Sequence, residues 1–130
     1  MNKPLSADEL AILATPAILA VPVMTRREKL MRFASLVRAS PAARLYMFSN
    51  LEHMHPSELT GLRHPVSAFA LAAADGIFKD AGLASDTVLD AQKFFELTRA
   101  ELHEFSCDCG GQITNRDMAD RIERIAARSA

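Results

Sequence analysis

Two cysteines, Cys107 and Cys109, stand one residue apart in the stretch H-E-F-S-C-D-C-G-G, residues 103–111. His103 precedes the first by four positions, which on a helix is one face. Gly110 and Gly111 come after them and permit the backbone to fold back over that face. Zinc takes Cys and His ligands in a tetrahedron, so His103, Cys107 and Cys109 supply three local ligands. A fourth is available from the connector that carries His53, His55 and His64. The expected metal set is therefore His103, Cys107 and Cys109 with His55 or His64, and zinc is the cofactor considered. Cys-x-Cys differs from the usual Cys-x-x-Cys knuckle, and there is no second pair.

The same two thiols admit a redox reading, because a disulfide between residues i and i+2 closes a small, strained and reducible ring. Glu104 and Asp108 oppose it, since neighbouring negative charge disfavours a thiolate. The C-terminal end of a helix opposes it too. The plain structural alternative is that the cysteines pack as small hydrophobes and that Gly-Gly closes a turn.

Other chemistry is sparse. His55-Pro56 and His64-Pro65 form two His-Pro pairs, each read as standing just before a helix start. Asp75 comes after an apolar run, either where a helix emerges into solvent or partly buried with a raised pKa. There is no Gly-x-Ser-x-Gly, phosphate-binding glycine loop or His-Glu-x-x-His, so no enzyme class is indicated.

The elements that must carry these residues are helical by pattern. The 130-residue chain is 49% hydrophobic and 24% charged, a globular composition for one domain. Ser6 caps a short first helix, and Thr15 to Val23 continues as an apolar connector between prolines; together these make a unit over residues 1–24. A helical core is expected over 25–130. It opens at Thr25 with the capping box Thr-x-x-Glu28, and Leu30, Phe33, Ala34 and Val37 form its buried stripe.

Ser40-Pro41 is read as starting the next helix, through Leu45, Phe48 and Leu51. Pro65 begins a central helix over V-S-A-F-A-L-A-A-A. Asp75-Gly76 interrupts that pattern before Ile77-Phe78, and Gly82 is the stop for that short segment. Ser85 caps a long helix reaching Phe105, and Thr114-Asn115 opens a last one with Met118, Ile122, Ile125 and Ala126 inward. No run alternates with period two, so no strand is expected. The expected fold is all-α: a single compact domain of five or six helices with short loops.

Charge is uneven along the chain. Residues 24–44 carry six basic side chains against Glu28 alone, and residues 75–108 carry eight acidic ones against three basic. The two runs pair with each other in one chain, or they steer self-association. No recognition motif or aromatic interleaving accompanies the basic run, so nucleic acid is not an expected partner. Leu10 to Met24 is uncharged but too short to span a bilayer, and acidic residues precede it, unlike a signal peptide. The sequence thus points to a cytoplasmic protein without a membrane partner. It acts by binding protein or ligand and self-associates as a homodimer; the alternative is a metal or thiol-redox protein using the His103/Cys107/Cys109 cluster.

Overall fold

The structure is a computed structural model and describes residues 23–48, 51–106 and 111–129. The expected first helix from Ser6, the Thr15–Val23 connector up to residue 22, and both cysteines lie outside the described residues. Helix α1 (Arg26–Arg38) begins as its sequence requires. Thr25 Oγ1 accepts the Glu28 amide at 3.1 Å, and Glu28 Oε1 accepts the Thr25 amide at 2.9 Å. Leu30, Phe33, Ala34 and Val37 are fully buried.

Helix α7 (Asn115–Ala127), the last in the chain, is capped by Thr114 and buries Met118, Ile122, Ile125 and Ala126. The α1–α7 pair is the most extensively packed in the fold. Leu30, Phe33 and Val37 of α1 have no measurable exposure, nor do Ile122 and Ile125 of α7. At about 1.5–3 kcal/mol for each large apolar side chain removed from water, this seam supplies much of the driving force.

Between these helices the chain departs from the expected pattern. Residues Arg44–Tyr46 form strand β1 where a helix was expected, and Gln112–Thr114 form β2. The two pair antiparallel, with Arg44 opposite Thr114, Leu45 opposite Ile113 and Tyr46 opposite Gln112. Leu45, Phe48 and Leu51 are all buried, as a three-residue period requires, but Met47 is buried as well. Over three residues the two periods cannot be separated, and the partner strand is distant in sequence. This pairing joins the start of the core to its end and presents Arg44 and Tyr46 outward.

The described residues hold seven α-helices, not five or six, with one 3-10 turn at Leu51–His53 and the two-stranded sheet. The broad reading, predominantly helical, stands. Helix α2 is Pro56–Leu59, α3 is Ala68–Ala73, α4 is Gly76–Asp80, α5 is Val88–Phe94 and α6 is Arg99–Ser106.

Two expected helices are broken, each for a local reason. Ser67, not Pro65, caps α3, which spans six residues, and Asp75 then caps α4 by accepting the Phe78 amide at 3.1 Å. The central helix is accordingly α1 rather than the alanine-rich segment. The long acidic helix starts at its Thr87 cap rather than at Ser85, and it stops after Phe94. Leu97 N–H bonds back to the Gln92 carbonyl and Glu96 N–H to that of Lys93, a Schellman ending with Glu96 left-handed at φ 56°. Gly82, at φ 113°, ends α4 by the same pair of bonds, as its sequence position suggested.

Aromatic packing fills the centre. Phe33 stacks on Phe95 at 4.5 Å, and Phe78 meets Phe95 edge-on at 5.4 Å. No helix among the described residues is long and apolar enough to cross a membrane.

Candidate binding cleft

The charged runs meet inside one chain. Arg26 of α1 reaches Glu101 of α6 at 2.6 Å, and Lys29 reaches Glu96 at 3.7 Å. Lys29 Nζ also donates to the Phe94 carbonyl at 2.9 Å and lies over the Phe94 ring. Arg26 donates to the Glu96 carbonyl at 3.0 Å. Two cations of α1 thus cap the exposed carbonyl end of α5. Arg38, further along, grips Asp120 and Glu123 of α7.

Asp75 is held by a two-pronged contact from Arg32, at 2.8 and 2.7 Å. The hydrogen bond from Arg32 is the main reason its carboxyl sits below the usual range; burial works against it, and the Phe78 amide assists. Of the two alternatives for Asp75, the raised pKa is overturned: a neighbouring guanidinium outweighs desolvation. With one face on Arg32 and the other on a helix end, Asp75 is committed to structure and is not poised as a general base. Glu101 is also lowered. Burial would raise it, but Arg26 and the Thr98 backbone and hydroxyl together prevail.

The histidines take three different places. His55 caps α2: its Nδ1 accepts the Ser57 amide at 3.2 Å, and Glu58 returns to the His55 amide at 2.7 Å. His64 makes the same bond to the second amide after it, with Nδ1 accepting the Val66 amide at 3.1 Å, but in a turn: the expected helix start beside His64 is displaced to the Ser67 cap. The His64 ring stacks on Tyr46 at 3.9 Å, nearly parallel. A neutral imidazole accepting at Nδ1 carries its proton on Nε2. Metal ligation by either ring through Nε2 would therefore cost a backbone amide its acceptor.

His103 is exposed in the last turn of α6. The 3-10 turn that ends at His53 packs against that same helix. Of the connector histidines, then, His53 belongs to the element beside His103, whereas His55 and His64 are engaged elsewhere. Cys107 and Cys109 are outside the described residues. Among the described residues, no three His, Cys, Asp or Glu side chains converge as a metal would need.

The sequence pattern did not reveal a cleft of about 350 Å³ over the β1–β2 pair and residues 117–124 of α7. Arg44, Gln112 and Thr114 form its floor; Asp117, Asp120, Arg121 and Arg124 rise from α7. Strand pairing sets the floor, because Arg44 and Thr114 are direct cross-strand neighbours with side chains on one face. Helical spacing sets the wall: 117, 120, 121 and 124 share one stripe.

Several of these groups are uncommitted. Arg121 donates to the Glu104 carbonyl, and Asp120 is taken by Arg38. The side chains of Arg44, Gln112, Asp117 and Arg124, by contrast, make no hydrogen bond or ion pair among the described residues. Asp117 is instructive. In the capping boxes at Thr25, His55 and Thr98, a glutamate reaches back to the cap amide. Asp117 occupies the same position after Thr114 but is one methylene shorter, and its carboxylate stays open to the cleft.

The sequence held one signal for this site, the half-complete box Thr114-x-x-Asp117. Arg44 appeared in it only as one more cation of the basic run. No protein-family model, curated protein or solved structure matches this chain.

Proposed function

We propose that this chain is a small helical binding protein whose contact site is the cleft between the β1–β2 sheet and α7. The observation that carries this reading is the set of uncommitted polar side chains, Arg44, Gln112, Asp117 and Arg124, converging on one concavity. Elsewhere Arg26, Lys29, Arg32, Arg38, Arg63 and Arg128 hold acidic partners; Arg27, Lys79, Lys93 and Arg116 have none among the described residues, but none of these lines the cleft. A cleft of this size lies at the lower end for small-molecule sites, and its lining is more polar than most. It suits recognition by charge and hydrogen bonding rather than by apolar burial.

The test is a thermal-shift panel of small polar ligands, run on the wild type and on an Arg44→Gln, Arg124→Gln variant. A ligand at a hundredfold excess over its Kd stabilises by about 2.7 kcal/mol, a rise of several degrees. Ligands that raise the wild type and leave the double variant unmoved support the reading. Ligands that raise both equally contradict it.

Self-association as a homodimer is part of the proposal, on altered grounds. The opposed charge runs no longer argue for it, because they pair within the chain. Its support is the uncharged sequence from Leu10 to Met24, whose Val23 is 97% exposed; Met31, Val66 and Ile77 are exposed in part as well. Light scattering over a dilution series tests it: a 14.2 kDa species at every concentration contradicts the dimer.

A second reading keeps the thiols. A zinc-like or redox centre at His103, Cys107 and Cys109 draws support from the packing of the His53 turn on α6, the helix that carries His103. Elemental analysis with thiol titration tests it. Stoichiometric metal lost in a Cys107→Ser, Cys109→Ser variant supports the centre; two free thiols without metal exclude it.

A further inference from the structure

The uncommitted groups of the cleft are of both signs, and that restricts what fits. Arg44 and Arg124 offer guanidinium forks suited to a carboxylate or phosphate. The first turn of α7 opens on the same space through Thr114 and Asp117, and its dipole favours an anion. A bare polyanion, however, would meet Asp117 and Asp120 on the same wall. The Asp120 charge is offset by Arg38 at 2.7 Å; the Asp117 charge has no such partner among the described residues. A ligand that satisfies both arginines and leaves Asp117 facing an anion loses part of what it gains. One that also brings a cationic donor to Asp117 answers each of the three uncommitted charges, Arg44, Arg124 and Asp117.

We propose that the cleft takes a small zwitterion: a phosphate or carboxylate held by Arg44 and Arg124, joined through a short linker to an ammonium group that pairs with Asp117. Gln112 adds a neutral amide to the same lining. This rests on the cleft being the binding site and adds the ligand class. The same arrangement disfavours a nucleic-acid backbone, which would set a phosphate against Asp117 without a cation to answer it.

Calorimetric titration at constant ionic strength tests it with four probes: phosphoethanolamine, β-alanine, inorganic phosphate and ethanolamine. The first two carry both charges with different anionic heads; the last two carry charge of one sign only. At least one zwitterion is expected to bind saturably and at least tenfold more tightly than phosphate or ethanolamine. The head that binds more tightly identifies the source. Asp117→Asn is expected to erase the advantage over phosphate, and Arg44→Gln or Arg124→Gln to weaken zwitterion binding about tenfold, the loss of one charge-assisted contact. All three positions lie on the surface, and an unchanged Tm in each variant separates lost contact from lost fold.

The ligand class is overturned if phosphate or ethanolamine binds as tightly as the zwitterions, or if Asp117→Asn leaves the ratio unchanged. It is overturned also if no zwitterion binds while another panel ligand depends on Arg44 and Arg124; the cleft then stands as a site with a different occupant. If no ligand of any class depends on those arginines, the site itself fails with it.

Discussion

Replacing Glu96 by glycine should make the protein more stable, although it deletes an ion pair. Glu96 is the left-handed residue of the Schellman ending of α5, at φ 56°. A side chain there costs about 1–2 kcal/mol in steric conflict between Cβ and backbone, which glycine avoids. Two terms offset the gain. Glycine loosens the unfolded chain by about 0.5–1 kcal/mol. The Lys29–Glu96 contact is long, at 3.7 Å, and the Glu96 side chain is 60% exposed, so it contributes at most a few tenths of a kcal/mol.

The bond from Arg26 goes to the Glu96 carbonyl and survives the change. The net is about 0.5 kcal/mol of stabilisation, or roughly 2 °C in Tm for a chain of this size. Glu96→Ala provides the control, because it removes the same charge and keeps the strained backbone. Urea unfolding and calorimetry of the three proteins give the answer. If Glu96→Gly is no more stable than Glu96→Ala, the reasoning about the α5 ending is refuted.

Acid should unfold the protein in part through Asp75 and Glu101. Both carboxyls lie below their usual range when folded, so their contribution is complete above about pH 4–5 and fades as pH falls through the folded values. Asp75→Asn keeps the α4 cap but not the charge; it should lower neutral-pH stability by about 1–3 kcal/mol and flatten the acid limb in urea melts from pH 7 to 2. His55→Asn should be nearly neutral, because asparagine also caps, whereas His55→Ala should cost about 0.5–1 kcal/mol by thermal melting. Equal losses from the two would show that the imidazole does not serve as the α2 cap. Prolonged chelation should leave Tm unchanged if the cleft carries the function; a fall of several degrees, restored by zinc, would favour the thiol centre.

Where signals were local, sequence and structure coincide. The capping box at Thr25, the buried stripe of α1, the Gly82 stop and the Thr114 helix each depend on residues within one or two turns. The features that escaped depend on partners distant in sequence. Strand β1 exists because Gln112–Thr114 lies beside it, and three residues are too few to announce a period of two. The break at Glu96 escaped because a glutamate gives no warning of a left-handed backbone, where a glycine at position 82 did.

Asp75 was legible as a helix boundary, but its charge state was not, since Arg32 is forty-three positions away. The cleft was hidden for the same reason: Arg44 and Asp117 become neighbours of one space only when the sheet closes. Of the two His-Pro pairs, the first marks a helix cap at His55, and the second a turn ahead of the Ser67 cap.

The most direct measurement is amide chemical-shift mapping of the full chain by NMR, titrated with phosphoethanolamine and β-alanine. Saturable shifts confined to residues 44, 112–114 and 117–124 are expected if the cleft is the binding site, with little change at 53 or 99–106. Shifts that centre on 53 and 99–106, or that never saturate at the cleft, would contradict it.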